Sequence, residues 1–233
     1  MAYTDIDKPS DYFNTKLYTG NASTQTISDV NFQPNLTWIK NRNGVRNHML
    51  FDSVRGALYR LQSNTTAASA STANTLTSWN SDGFALGSEN DTNGTGATFA
   101  SWNWKAGTSF TNDASATGIG TIDSTGSVNT DAGFSIISYT GTGSVGTIAH
   151  GLGAVPSMYI LKRRAGDTEN WPIYHQSVGN THALYLNTTD AIYDYANFTN
   201  DTSPTSSVFT VGGSNNQANP DGSTMIAYCF AEK

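Results

Sequence analysis

The chain has 233 residues, enough for one large domain or two of about 100 residues each. Only 13% are charged while 11% are aromatic, which excludes a disordered polyelectrolyte, and a net charge of -6 with scattered Lys and Arg excludes the basic footprint of a nucleic-acid partner. A single cysteine, Cys229, excludes a disulfide framework.

The opening MAYTDIDKPSDYF is polar and acidic, without the apolar core of a signal peptide. No stretch approaches the ~18 apolar residues of a membrane span. The first strand-like segment is FNTKLYTG, residues 13–20. In PNLTWIKNR, residues 34–42, Leu36, Trp38, Lys40 and Arg42 share one strand face. Its apolar half is expected in a core, its basic half where the strand leaves the sheet. NHMLF (47–51), LQSNTT (61–66), FALG (84–87) and TFASWNW (98–104) follow, the last with Trp102 and Trp104 at alternate positions. Residues 108–131 are small and polar and read as a linker that could add a strand around Gly120–Ile122.

Phe134–Ile137 opens the second half as another strand. Beyond it, Gly141-x-Gly143-x-x-Gly146 has the spacing of a dinucleotide-binding loop. Gly146 is followed by TIAHGLGAVP, whose glycines and Pro156 forbid the helix that such a loop requires. The acid about twenty residues on, Asp167, follows a basic strand end rather than a second βαβ strand. The glycines therefore read as a flexible hairpin turn. Met158, Ile160, Lys162 and Arg164 repeat the mixed face of residues 36–42, and Tyr228 and Phe230 repeat the alternate aromatics. No window sustains the period of an amphipathic helix.

These correspondences form a series. FNTKLYTG matches FSIISYTG, PNLTWIKNR matches PSMYILKRR, and NHMLF matches NWPIY. Ser53, Val54 and Gly56 match Ser177, Val178 and Gly179 with one residue inserted. LQSNTT matches LYLNTT, FALG matches FTVG, and TFASWNW matches TMIAYCF. The order is kept and the offset drifts only from about 121 to 126 residues, the signature of an internal repeat. The expected fold is all-β: two tandem homologous, jelly-roll-like β-sandwich domains, 1–107 and 132–233, joined by the linker 108–131.

Candidate chemistry is sparse. Glycoside hydrolysis needs two opposed carboxylates, and the three glutamates, Glu89, Glu169 and Glu232, fall in a turn, a loop and the chain end. His48, His150, His175 and His182 have no spacing that enforces a metal site. No Gly-x-Ser-x-Gly elbow is present. The expectation is no catalytic residue, no cofactor and no metal. Cys229, between Tyr228 and Phe230, reads as a buried inert thiol; Lys162-Arg163-Arg164 and its counterpart Lys40-Asn41-Arg42 with Arg46 read as charged strand tips, with acidic-glycan or phosphate binding as the alternative. Trp79, Trp171, Tyr193 and Tyr195 stand in loop-like, Asn- and Thr-rich surroundings. They are candidates for stacking on a glycan or touching a partner, with packing between domains or subunits as the alternative.

The chain resembles tandem repeat domains of tail-fibre-like and other virion-associated proteins of tailed bacteriophages, often marine. The residues that carry the resemblance are YTGN (18–21), FQPNLTWIKNR (32–42), NHMLFDSVRG (47–56), WNSDGFALGS (79–88) and SWNWKAG (101–107). In the second copy they are GFSIISYTG (133–141), HGLGAVPSMYILKRR (150–164), NWPIYH (170–175), PTSSVFTVG (204–212) and IAYCFAE (226–232). The resemblance implies a β-sandwich fold and a structural virion role in a tail fibre or spike, contributing to host-surface recognition. It implies no catalytic residue. Relatives that continue past the AYCFAE strand are longer, so a compact two-domain subunit is expected. The implied partners are further copies of the chain, other virion proteins and a host-surface glycan, without nucleic acid or membrane insertion. A carbohydrate-binding module acting alone and a capsid decoration protein are the alternatives.

Overall fold

The computed structural model describes residues 6–166 and 168–233, so Asp167 lies outside the described residues. The chain forms two compact units. The first runs to Gly107, except that Thr66–Ala68 cluster with the second, which comprises Thr108–Lys233. The fold is all-β, with three one-turn α-helices and a 3-10 turn at Pro9–Asp11 among the described residues.

The first unit contains β1 (Phe13–Thr19), β2 (Gln25–Ile27), β3 (Leu36–Asn41), β4 (Met49–Asp52), β5 (Tyr59–Gln62), β6 (Ala70–Ser71), β7 (Leu76–Asn80), β8 (Gly83–Leu86), α1 (Asn90–Asn93) and β9 (Thr98–Trp104). Its strands form a six-stranded sheet, β1-β9-β3-β4-β5-β6, and a three-stranded sheet, β2-β8-β7. The second unit contains β10 (Thr108–Asn112), α2 (Ala114–Thr117), β11 (Ser124–Asn129), β12 (Phe134–Thr140), β13 (Gly146–Ala149), β14 (Pro156–Arg163), β15 (Pro172–His175), β16 (His182–Tyr185), β17 (Tyr193–Asp194), α3 (Ala196–Thr199), β18 (Val208–Val211) and β19 (Thr224–Ala231). They form an eight-stranded sheet, β10-β11-β12-β19-β14-β15-β16-β17, and the pair β13-β18. From β12 to β17 the large sheet repeats the strand order of the first unit. Register is repeated too: Phe13 faces Trp104 and Tyr18 faces Phe99, as Phe134 faces Phe230 and Tyr139 faces Met225.

In each unit the core lies between the larger and the smaller sheet. Ile39, Met49, Phe51 and Phe99 meet Ile27, Phe84 and Leu86 in the first. Ile137, Tyr159, Leu161, Ala227 and Cys229 meet Ile148, Phe209 and Val211 in the second. The Cys229 thiol is buried, as its apolar neighbours predict, and burial pushes its pKa up to about 12. Both faces of β3 carry buried residues: Leu36 is buried and Arg42 exposed on the face expected to enter a core, but the opposite face is buried as well. Ile39 and Thr37 face inward, while Trp38 on the opposite face stacks edge-on against Trp102 and His48. Alternation hid this because the inner face carries buried polar residues. Asn103 lies opposite Thr37, and its amide donates to Ser101 Oγ (3.1 Å) and the Asn14 carbonyl (3.1 Å). In β14, likewise, Tyr159 and Leu161 enter the core between the sheets, and Ile160 on the opposite face is buried too.

The same buried brace ties each unit together. Tyr18 donates to the Thr92 carbonyl (2.7 Å), and Tyr139 to that of Ala218 (2.6 Å). Next to these acceptors stand Asn93 and Asn219, both fully buried. The Asn93 amide donates to the carbonyls of Ser23 (2.6 Å) and Gly87 (2.8 Å), and its Oδ1 accepts from the Asn21 N–H (3.0 Å). Asn219 donates to the carbonyls of Ser144 (2.5 Å) and Gly212 (3.1 Å), and accepts from the Thr142 N–H (2.9 Å). Gly20 and Gly141 pass so close that a Cβ would lie 2.3 Å from the Gly94 oxygen or 2.2 Å from the Pro220 oxygen. This explains why one glycine of the Gly141–Gly146 run is shared by both halves. The run is not a hairpin: β12 pairs with β11 and β19, whereas β13 pairs with β18. It crosses from one sheet to the other and is fixed by Gly143 N–H to the Asn219 carbonyl (3.1 Å) and Ser214 N–H to the Gly143 carbonyl (2.8 Å).

Residues 108–131 are not a linker. They form β10, α2 and β11, and add two strands beyond β12. Ser and Thr suit exposed strands as well as loops, and the buried Ile122 with the half-buried Phe110 and Val128 anchors the segment to the core. Ile122 also forms a parallel bridge to Ile148, close to the strand expected at 120–122.

Candidate functional site

The aromatic residues singled out from sequence do not converge. Trp171 is fully buried and so presents no ring to a ligand; its backbone N–H donates to Asn187 Oδ1 (2.9 Å). The buried Lys162 lies over its indole with Nζ 5.5 Å from the ring centroid, and donates to the carbonyls of Glu169 (2.6 Å) and Thr66 (2.8 Å). Lys162 is therefore no charged tip, and burial lowers its pKa to about 8 against the opposing pull of Glu169. Tyr193 and Tyr195 join Tyr185 and Phe198 in a ladder of rings with centroids 5.1 to 6.1 Å apart, half-buried against the core. Trp79 packs against the first unit's core, and its Nε1 donates to Thr37 Oγ1 (3.4 Å). Trp171 is enclosed, whereas Trp79, Tyr193 and Tyr195 are half-buried. Among the described residues no group of three or more His, Cys, Asp or Glu could hold a metal ion.

The open concavity of the second unit lies instead around β10, which has no counterpart in the first: among the described residues β1, the equivalent of β12, is the edge of its sheet. β10 pairs with β11 from Thr108↔Val128 to Asn112↔Ser124. α2 then turns the chain back. Its start is fixed by Asp113, whose carboxylate accepts from Ser115 Oγ (2.7 Å) and the Ala116 N–H (3.1 Å), bonds that lower its pKa. Asp123 closes the turn by accepting from the Ala114 N–H (2.9 Å). Asn112 is held from both sides, donating to the Ile119 carbonyl (2.9 Å) and accepting from Thr117 Oγ1 (2.8 Å).

Two hollows flank this turn and share Thr111 and Asn112. One, of about 470 Å³, has a mixed lining that includes Tyr139. The hydroxyls of Thr111, Thr125, Ser138 and Thr140 line it together with the carboxylates of Asp113 and Asp123. The other, a slot of about 340 Å³, has the apolar side chains of Phe110, Ile119 and Val128, with Thr111, Ser206 and Ser207 supplying hydroxyls. Its wall is the segment after β13, where Gly151 at φ +73° approaches the Phe110 ring so closely that a Cβ would stand 3.2 Å from it.

A domain of unknown function, DUF7483, matches residues 8–233. The chain belongs to that family. The matched stretch takes in both strand-order repeats and the β10–β11 segment, so the hollows are part of the DUF7483 fold rather than an appendage to it. No curated protein and no solved structure matches this DUF7483 chain.

One buried histidine sets the wall of the slot in this DUF7483 chain. The His150 N–H donates to the Ser207 carbonyl (3.2 Å), Nε2 lies 3.1 Å from the Thr205 carbonyl, and Nδ1 accepts from the Leu152 N–H (3.2 Å). A neutral ring protonated on Nε2 satisfies both ring contacts. Burial lowers its pKa, opposed by the Thr205 carbonyl. Sequence reasoning singled out neither Phe110 nor His150 for the site. The available signal was Phe110 itself, an aromatic with Ile119, Ile122 and Val128 in a stretch otherwise suited to a linker.

Proposed function

We propose that this DUF7483 protein is a structural component of a tailed-bacteriophage particle, a tail-fibre or spike subunit that contributes to recognition of the host surface. In this reading each unit is a jelly-roll-like β-sandwich, the chain assembles with further copies of itself and with other virion proteins, and it acts by binding rather than catalysis. The observation that carries the proposal is a braced β scaffold present twice, with the β10–β11 segment and the two hollows beside it added to the second copy. Duplication supplies rigidity, and the added segment supplies a place to vary recognition. The sequence resemblance to tail-fibre-like proteins supports the particle context. The sparse charge suits surfaces exposed to changing salt, since uncharged contacts lose little to screening.

The test is immunogold labelling of intact particles with antibodies to the chain, paired with adsorption assays in which purified protein competes for host cells. Label at the tail and reduced adsorption are expected. Label confined to the head would make the chain a capsid decoration protein. No label, with binding to host polysaccharide retained by the free protein, would replace the proposal by a carbohydrate-binding module acting alone.

A further inference from the structure

We infer that the Phe110 slot is a sugar-binding subsite, and that its ligand is an uncharged hexopyranose at an exposed position of a surface glycan. This rests on the host-recognition reading above and adds the place and the class of ligand.

The slot has the two surfaces that a pyranose presents. One face of such a ring is a patch of C–H bonds, and Phe110 offers it a half-buried aromatic ring backed by Ile119 and Val128. The sugar's edge is a belt of hydroxyls, and Thr111, Ser206 and Ser207 carry both donors and acceptors at that level. The volume of about 340 Å³ is at the small end of the roughly 300–1,000 Å³ range of small-molecule sites, which suits one or two rings rather than a buried chain. Gly151 lies against one edge of the Phe110 ring, where an added Cβ would stand 3.2 Å from it, so backbone rather than a side chain bounds the slot there.

Charge narrows the class. The residues following β10 place Asp113 and Asp123 around the adjoining hollow, which shares Thr111 and Asn112 with the slot. Their bonds from Ser115 Oγ and backbone N–H groups leave the carboxylates as acceptors. A uronic or sialic acid bound beside them would meet like charge, in a chain whose net charge is already -6. A neutral hexose would meet only acceptors suited to its hydroxyls.

The experiment is NMR titration of the full chain with methyl glucoside, methyl galactoside, N-acetylglucosamine and glucuronic acid. Saturable shifts at Phe110, Thr111, Gly151 and Ser207 are expected for at least one neutral sugar, with glucuronic acid weaker and the gap narrowing as salt is raised. Phe110→Ala should weaken binding by roughly tenfold or more, as truncating an aromatic anchor does. Ser206→Trp, on an exposed loop position, should block the slot while leaving the thermal melt unchanged, and so separates occlusion from misfolding. Shifts that map elsewhere, an unaffected Ser206→Trp variant, or no shift with any of the four sugars would overturn the inference. Particle labelling is independent of this outcome: labelled tails without sugar binding would remove the subsite and keep the virion role.

Discussion

At the residue scale, the brace around Asn93 and Asn219 dominates. Each asparagine satisfies three backbone groups in the interior, and truncation would leave them without partners. Asn219→Ala is expected to cost about 3 kcal/mol in urea denaturation, and Asn93→Ala a similar amount, because stranded buried polar groups lose their full solvation. Neither residue was legible as structural in the sequence, since Asn is abundant and most of it lies in turns. The glycines were legible only in part: the repeat marks Gly20 and Gly141 as equivalent, but not the backbone they press against. Lys162 makes a pH prediction. Its folded pKa of about 8 is below the ordinary lysine value of 10.5, so the unfolded chain holds the proton more tightly between those values. Stability contributed by this group therefore rises with pH across that window. Paired denaturation curves should show the wild type gaining on Lys162→Met from pH 8 to 10.5.

At the element scale, the strands were readable and their sidedness only in part, since Leu36 and Ile160 are buried as their face predicts but the opposite faces are buried as well. Leu36 and Trp38 look more like core residues than Thr37 does, yet Thr37 is enclosed and Trp38 is not. A sheet whose inner face is stocked with hydrogen-bonded Thr, Ser and Asn defeats a rule based on apolar alternation. The β10–β11 pair was hidden for a related reason: Thr, Ser and Gly serve strands and linkers equally, and the deciding apolar residues are widely spaced. The segment after β13 carries a second pH prediction. His150 is held neutral with its folded pKa below the ordinary value of 6.5. The unfolded chain then binds the proton first, so stability is lost as pH falls from 6.5 toward the folded pKa. Protonating Nδ1 would also set it against the Leu152 N–H that it accepts. Hydrogen-exchange protection factors at Gly151–Gly153 and Ser206–Val208, corrected for the intrinsic rate at each pH, should fall below pH 6.5, sooner than in β12 or β19.

At the scale of the whole molecule, duplication was the most legible feature, because anchors kept in order over long spacing need no structural assumption. The boundary between the copies was the least legible. A fragment of residues 108–233 is expected to give a dispersed NMR spectrum and a cooperative melt. A fragment of 132–233, cut where the sequence alone places the boundary, loses Ile122 and the strand that covers β12. It should melt at lower temperature or aggregate through the uncovered edge. Equal stability of the two fragments would show that β10 and β11 contribute nothing to the fold.

The brace also bears on chemical ageing. Asn93 is followed by Gly94, the neighbour that least hinders an asparagine from cyclising onto the next backbone nitrogen and deamidating. Here the side chain is locked by three carbonyl and amide contacts and cannot swing into that attack. Its counterpart Asn219 is followed by Pro220, whose nitrogen carries no proton to lose. The two copies reach the same durability by different means, one by confinement and one by covalent structure. Deamidation at Asn93 should therefore report unfolding of the first unit, and mass spectrometry of aged samples would read it as a clock.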